Sequence, residues 1–378
     1  MCFGLGVQVP LVVGLSRALG HVAPPLLLAA AITAGFLQTA LGARRTWGAP
    51  SPARLYLVLW PFFIWWTFAL SFAVLAPLAW MFRSLAHLPA GPVHAATLGL
   101  AALGTFAALS GRPRVYRQEI AIAGLPAAFD GYRIAQISDL HCGPFASGAR
   151  IDRWVGRVNG LGVDLVAVTG DLIASGSAFV PVVAASLGKL RARDGVFACM
   201  GNHDYFTDGE AMVTALERAG LQVLRNRGVS IQRDDGSLYV AGVDDTWTRR
   251  NDVPRAMAGR PAGAPSVLLA HDPALFPEAA AHGVDLTLSG HTHGGQLGVP
   301  FLAKRFNLAR LMTEFTTGLY RRGPSTLYVN RGLGATALPV RLSVPPEIAV
   351  ITLRRAAPAA ATRTDPRTTV RPASARAS

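Results

Sequence analysis

The first 117 residues of this chain contain no aspartate, no glutamate and no lysine, and only eight arginines. A soluble domain ordinarily carries about 25% charged residues to wet its surface. A stretch this long without acids therefore reads as membrane-embedded rather than as a soluble helical domain. A helix needs about 20 apolar residues to cross the hydrocarbon core. Residues 22–41 and 55–82 meet that requirement, and 92–110 form a weaker span rich in Ala and Gly. Residues 1–16 are uncharged but short. Pro61 and Pro77 lie inside the second span, where membrane helices tolerate them. Trp60, Trp65, Trp66 and Trp80 suit an interfacial belt or helix packing. About three helices over 1–112 are expected. A cleavable signal peptide does not fit, because the apolar material continues in several blocks.

Arginines near the span ends set the orientation. Arg44, Arg45, Arg54, Arg112, Arg114 and Arg117 stand on one side, against Arg17 and Arg83 on the other. That asymmetry places the domain after residue 118 in the cytoplasm, on a multi-pass protein of the cytoplasmic (inner) membrane. The net charge of +14 lies almost wholly in this front and in the tail 354–378. The tail is Ala, Pro, Thr, Ser and Arg, a composition that predicts disorder. Residues 118–353 are nearly neutral, which argues against a nucleic-acid-binding face. Cys2, Cys142 and Cys199 are too few and scattered for a disulfide framework or a zinc ribbon.

From about 118 the pattern changes to short apolar strands alternating with amphipathic stretches. Strands are expected at 118–124, 132–138, 164–170, 196–201, 221–226, 229–233, 237–243, 266–271, 284–290, 325–332 and 347–353. Helices are expected at 148–160, 177–193, 209–219 and 273–282. Such alternation gives an α/β domain with a parallel or mixed sheet, whose chemistry gathers beyond the C-terminal strand ends. Five of those ends carry Asp139 and His141, Asp171, Asn202 with His203 and Asp204, His271, and His291 with His293. Gly170, Gly201 and Gly290 precede three of them, and glycine there permits tight turns and positive φ. Imidazole, carboxylate and amide oxygen without thiolate suit Mn, Fe or Zn. The set is too large for one ion and fits two ions sharing a carboxylate, a pair that can clamp the oxygens of a phosphoryl displacement. His282, on an expected helix, reads as structural.

The ordered strings "ISDLHCG", "VTGDLI", "MGNHDYF", "LLAHDP" and "LSGHTHGGQ" resemble the calcineurin-like metallophosphoesterase superfamily over roughly 130–353. "VAGVDDTW" and "YVNRGLGATALPVRLSVPPEIAVITL" look like its bacterial branch with membrane segments before the domain. Some similar proteins hydrolyse UDP-2,3-diacylglucosamine, and others are general phosphodiesterases. The resemblance implies a four-layer α/β/β/α sandwich with a dimetal site at one edge. It also implies that Asp139, His141 and His293 bind the first ion, that Asp171 bridges, and that Asn202, His271 and His291 bind the second. His203 would act on the transition state or leaving oxygen, with Asp204 orienting it. Arg331 is a candidate for a substrate phosphate, with a salt bridge as its alternative; Asp244 and Asp245 match a family feature without a derivable role. The expected function is a membrane-anchored dimetal phosphoesterase cleaving a phosphodiester or pyrophosphate bond of a lipid-linked substrate. The alternatives are a phosphomonoesterase or nucleotide phosphodiesterase, and, more remotely, a non-catalytic metal-binding membrane protein or a thiol sensor using Cys142. A basic loop, with Lys304, Arg305, Arg310, Arg321 and Arg322, is a second candidate for contact with anionic lipid.

Overall fold

A computed structural model describes residues 9, 11–14, 51–206, 208–298, 307–336 and 339–356. The span expected at 22–41, Cys2, Lys304, Arg305 and the tail from 357 lie outside the described residues. The other two spans form a helical hairpin, α1 (Pro52–Leu85) and α2 (Ala90–Leu109, continuing to Ser110), both long and apolar enough to cross a membrane. Pro61 has no N–H for the helical ladder, and a π-helical stretch, Leu55–Leu59, runs up to the turn that contains it. Ala69 and Phe72 of α1 and Ala101 of α2 are buried together, with Gly104 against Ser71. Small residues at such a seam let two backbones approach closely.

Two six-stranded sheets follow. The first has the order β1 (Arg114–Ile122), β12 (Glu347–Arg355), β2 (Arg133–Ile137), β3 (Leu165–Thr169), β4 (Val196–Cys199), β5 (Gln222–Val223). The second runs β10 (Gly318–Arg322), β11 (Ser325–Val329), β9 (Leu286–Ser289), β8 (Ser266–Leu269), β7 (Gly236–Gly242), β6 (Arg227–Arg233). Their inner faces share one core, in which Phe129, Ile134, Leu165 and Phe197 meet Val240, Val267, Leu286 and Leu288. Outside the first sheet lie α3 (Gly148–Asn159), α4 (Val180–Leu187) and α5 (Gly209–Arg218), through Ile151, Trp154, Val183, Met212 and Leu216. Outside the second lie α6 (Val253–Met257) and α7 (Phe276–Ala281), through Val253, Ala256 and Ala279. The domain is the expected four-layer α/β/β/α sandwich. β3 is buried at every position, as a parallel strand covered on both faces must be.

Boundaries differ from the sequence pattern where pairing overrides it. β1 begins at Arg114 rather than 118, because it pairs in parallel with β12 from Arg114 opposite Glu347 to Ile122 opposite Arg355. The same pairing carries β12 past residue 353, and Arg354 bonds Glu119 at 2.7 Å. The helix expected over 177–193 is a 3-10 turn, Ser177–Phe179, followed by α4 alone. The strand expected over 221–226 shrinks to the two residues of β5.

The hairpin docks on the sandwich. Phe145, in the loop after β2, packs edge-on against Trp60 (5.4 Å) and Phe63 (5.1 Å) of α1. The N-terminal end of α1 and the C-terminal end of α2 therefore sit together against the domain.

Candidate metal centre

The ligand candidates leave β2, β3 and β4 of the first sheet and β8 and β9 of the second. They meet where the C-terminal edges of the two sheets converge. The rings and carboxylates interlock: His141 Nε2 lies 2.9 Å from His293 Nε2, and His293 Nε2 lies 3.4 Å from an Asp139 oxygen. Asp171 offers one oxygen to His141 at 3.6 Å and the other to His271 at 3.3 Å. His291 Nδ1 stands 3.2 Å from His271 Nε2. These atoms fall into two groups able to hold an ion, Asp139–His141–His293 and Asp171–His271–His291; Asp171 also joins His141 and His203 in a third.

The backbone at these positions is strained. Asp139, His141, Asp171, His291 and His293 all have positive φ, between 46° and 69°. Non-glycine residues adopt that conformation rarely, and it costs about 1–3 kcal/mol each. The glycines work differently from expectation. Of the three before the ligands, Gly170 alone has positive φ (79°). Gly290 is needed for space: a Cβ there would collide with Ser138 Oγ and an Asp139 oxygen. Glycine lets the loops touch, and five of the seven ligand candidates themselves take the left-handed turn.

Backbone carbonyls aim two of the imidazoles. His271 donates from Nδ1 to Thr169 O at 2.7 Å, leaving Nε2 toward Asp171. His203 donates from Nδ1 to Ala174 O at 2.7 Å, leaving Nε2 uncommitted to that carbonyl. Asp204 does not orient His203. Its carboxylate accepts from the backbone N–H groups of Leu172 (2.8 Å), Ile173 (3.3 Å) and Gly201 (2.9 Å), pinning the β3 and β4 exits together. Arg331 is bound to Glu347 at 3.1 Å and lies over the Tyr116 ring at 4.4 Å, the salt-bridge alternative for that residue. Asp244 accepts from Tyr205 and Arg225, and Asp245 caps the turn at Thr248, so both hold the loop after β7. Cys142 is fully buried, and burial pushes its thiol up to about 12, so it is unsuited to sensing.

Sequence reasoning missed Arg341. It is buried, donates to Gly334 O at 2.7 Å, and brings Nη2 to 3.0 Å from His293 Nδ1. No periodicity marks a buried arginine, so only the folded chain reveals it.

The donor set fits divalent ions. Asn202 Oδ1 is buried with no hydrogen-bond partner, an acceptor aimed at nothing the protein supplies. Burial pushes His141 down to about 3, so it stays neutral with a lone pair for a metal. Burial works against charge on Asp171, yet His271 holds it well below the usual carboxylate range. Burial likewise opposes charge on His271, but Asp171 prevails and lifts it to about 10. At pH 7 the metal-free His271 therefore keeps its proton, and metal binding must expel it. Burial raises Asp139 to about 6, so a second proton competes below that pH. Metal affinity should rise with pH, most steeply below pH 6, where both protons must leave, and less steeply above it. Calorimetric titration with Mn at pH 7, in buffers of different ionisation enthalpy, should show close to one proton released per chain. No proton release would refute this linkage.

The calcineurin-like phosphoesterase family model matches residues 132–295. The uncharacterised metallophosphoesterase YkuE of Bacillus subtilis is 34% identical over 234 residues, covering 61% of this chain and 82% of that protein. The chain belongs to the calcineurin-like metallophosphoesterases. A metallophosphoesterase of this family is a metal-dependent hydrolase of phosphate esters. A "transmembrane protein with metallophosphoesterase domain" from Danio rerio is 35% identical over 258 residues, 65% of this chain. Its namesake from Bos taurus is 33% identical over 291 residues, 72% of this chain. This chain spans 58% and 64% of those two relatives, less than two thirds of each.

Proposed function

We propose that this metallophosphoesterase is anchored in the membrane by its helical hairpin and hydrolyses a phosphodiester or pyrophosphate bond of a lipid-linked substrate at the membrane surface. One contact carries the reading. Arg341 reaches His293 with its side chain, while its backbone N–H donates to Ala108 O, at 3.4 Å, in the last turn of α2. A single residue thus links the end of α2 to His293, which supports a centre lying close to the membrane surface if α2 crosses the bilayer. Anchoring there raises the effective concentration of a membrane-borne substrate.

The mouth suits an amphiphile. A cavity of about 340 Å³ is lined by Asp171, Asn202, His203, His291, His293 and Met312. Phe206, Trp247, Leu311 and Met312 are exposed, Leu311 by 86%. Phe206 lies 4.4 Å from the His203 ring and Trp247 lies 5.6 Å from that of His291. Large apolar side chains left in the open around a polar site mark a surface for apolar material.

Asp139, His141 and His293 would hold one divalent ion (Mn, Fe or Zn), and Asn202, His271 and His291 another, with Asp171 between. Such ions supply Lewis acidity toward phosphoryl oxygens and lower the pKa of water. His203, aimed by Ala174, would give the proton at Nε2 to the departing oxygen. The hairpin puts Arg54 and Arg112 at the domain's end and Arg83 at the other, consistent with a cytoplasmic domain; a C-terminal reporter active only outside the cytoplasm would refute that side. The function itself is tested by mass spectrometry of lipids from a deletion strain. A phosphorylated lipid should accumulate, and wild type but not Asp171→Ala should clear it. Unchanged lipids with accumulation of a soluble phosphate ester would overturn the lipid assignment.

A further inference from the structure

A second, smaller recess of about 50 Å³ lies between α2 and the metal centre. Ala108 and Gly111, at the end of α2, line one side. Phe145, Arg150, Arg341 and His141 line the others. That space takes several waters or one phosphoryl-sized group.

Its chemistry is cationic. Arg341 is 6% exposed, and Arg150 is partly buried. Arg341 donates to the carbonyls of Gly334 and His293, and Arg150 to that of Phe145 at 3.3 Å. Among the described residues neither guanidinium has a carboxylate within 4.0 Å. The carboxylates of Asp139 and Glu347 act on Arg341 only from farther away. A buried cation without a counter-ion is costly, because desolvation is not repaid by neutral acceptors alone.

His141 makes the same demand. Its Nε2 is turned to the ligand cluster, and its Nδ1 is buried with no partner. A histidine that ligates a metal through one nitrogen carries a proton on the other, and that N–H almost always finds an acceptor. The described residues supply none. Water would satisfy the N–H but not the two guanidinium charges; an oxyanion satisfies all three.

We propose that this recess is a binding site for a tetrahedral oxyanion, a phosphate group held by Arg341, Arg150 and the Nδ1–H of His141. Guanidinium groups match phosphate with paired donors. The phosphate has two sources, the headgroup of a membrane lipid beside α2 or a free phosphate that enters from solution. The inference rests on the metal-centre reading, since His141 and Arg341 adjoin that centre; turnover of bis-p-nitrophenyl phosphate, measured alongside, separates its failure from failure of the phosphoesterase reading.

The test uses the metal-loaded full chain in lipid nanodiscs and reads thermal midpoint. Inorganic phosphate is added to phosphatidylcholine discs, and phosphatidylglycerol discs are compared with phosphatidylcholine discs. Phosphate also stabilises through the metals, so the quantity read is the part lost in Arg150→Gln. Ala335→Asp, which puts a carboxylate at the recess wall, provides a second variant should Arg150→Gln fail to fold. Arg150→Lys should retain part of the effect. A gain of a few degrees from phosphatidylglycerol, absent in both variants, supports the lipid headgroup. A variant-sensitive gain from inorganic phosphate alone supports the free anion. Equal shifts in wild type and variants, in both arms, overturn the site.

Discussion

Replacing Asp171 with Ala should lower kcat/KM for bis-p-nitrophenyl phosphate by at least about three orders of magnitude, with Mn present and the fold intact. Each decade is worth about 1.4 kcal/mol of transition-state stabilisation, so the loss corresponds to roughly 4 kcal/mol. The expectation rests on position. Among the described residues Asp171 is the carboxylate with one oxygen toward His141 and the other toward His271. Removing it separates the groups and leaves His271 without the charge that balances it. Metal content measured on the same preparation should fall to at most about one ion per chain. The fold should survive, because the residue sits at a strand exit outside the sandwich core. Undiminished turnover, or two ions retained at full occupancy, would refute its bridging place.

His203→Gln should cut kcat by about 10²–10⁴ for a dialkyl-type diester, the range for losing a positioned general acid. The loss should be much smaller for bis-p-nitrophenyl phosphate, whose leaving group departs as a stable anion without protonation. Metal content should not change. The contrast follows from geometry: Nδ1 is committed to Ala174 O, which leaves Nε2 as the atom able to deliver a proton. An equal loss for both leaving groups would mean that His203 holds the site together rather than serving the leaving oxygen. In that case its backbone N–H on Asp171 Oδ1, at 2.9 Å, would be the contact to test next.

Both predictions concern residues already visible as letters. "GHTHGGQ" and "GNHD" at the ends of apolar strands exposed the ligand candidates, because imidazole and carboxylate at a strand exit are conspicuous against a Val- and Leu-rich background. The roles of Asp204 and Arg331 were less legible. Asp204 follows His203 in the chain, yet the 3-10 turn Asn202–Tyr205 sends the two side chains apart, one to backbone amides and one to Ala174. Adjacency in sequence says little about adjacency of side chains inside a tight turn. Arg331 follows an apolar strand as a ligand would, but Glu347, the first residue of β12, neutralises it from a strand that no local pattern connects to it.

The membrane assignment divides similarly. The absence of acids over the front of the chain is a property of composition, so it identifies apolar helices without any knowledge of packing. That the hairpin rests on the loop after β2, through Phe145 on Trp60 and Phe63, is a property of the tertiary structure.

The sequence by itself determined the α/β class, the two apolar helices of the hairpin and the residues able to bind metal, since each depends on local periodicity or on side-chain chemistry. Only the tertiary structure decided that two sheets present their strand ends to one point, and that five of the ligand candidates bear the left-handed backbone while glycine clears the space. Only it placed Arg341 between the end of α2 and His293. Those contacts join residues from about 30 to more than 200 positions apart, and their cost and reward arise from burial, which no single stretch of sequence contains.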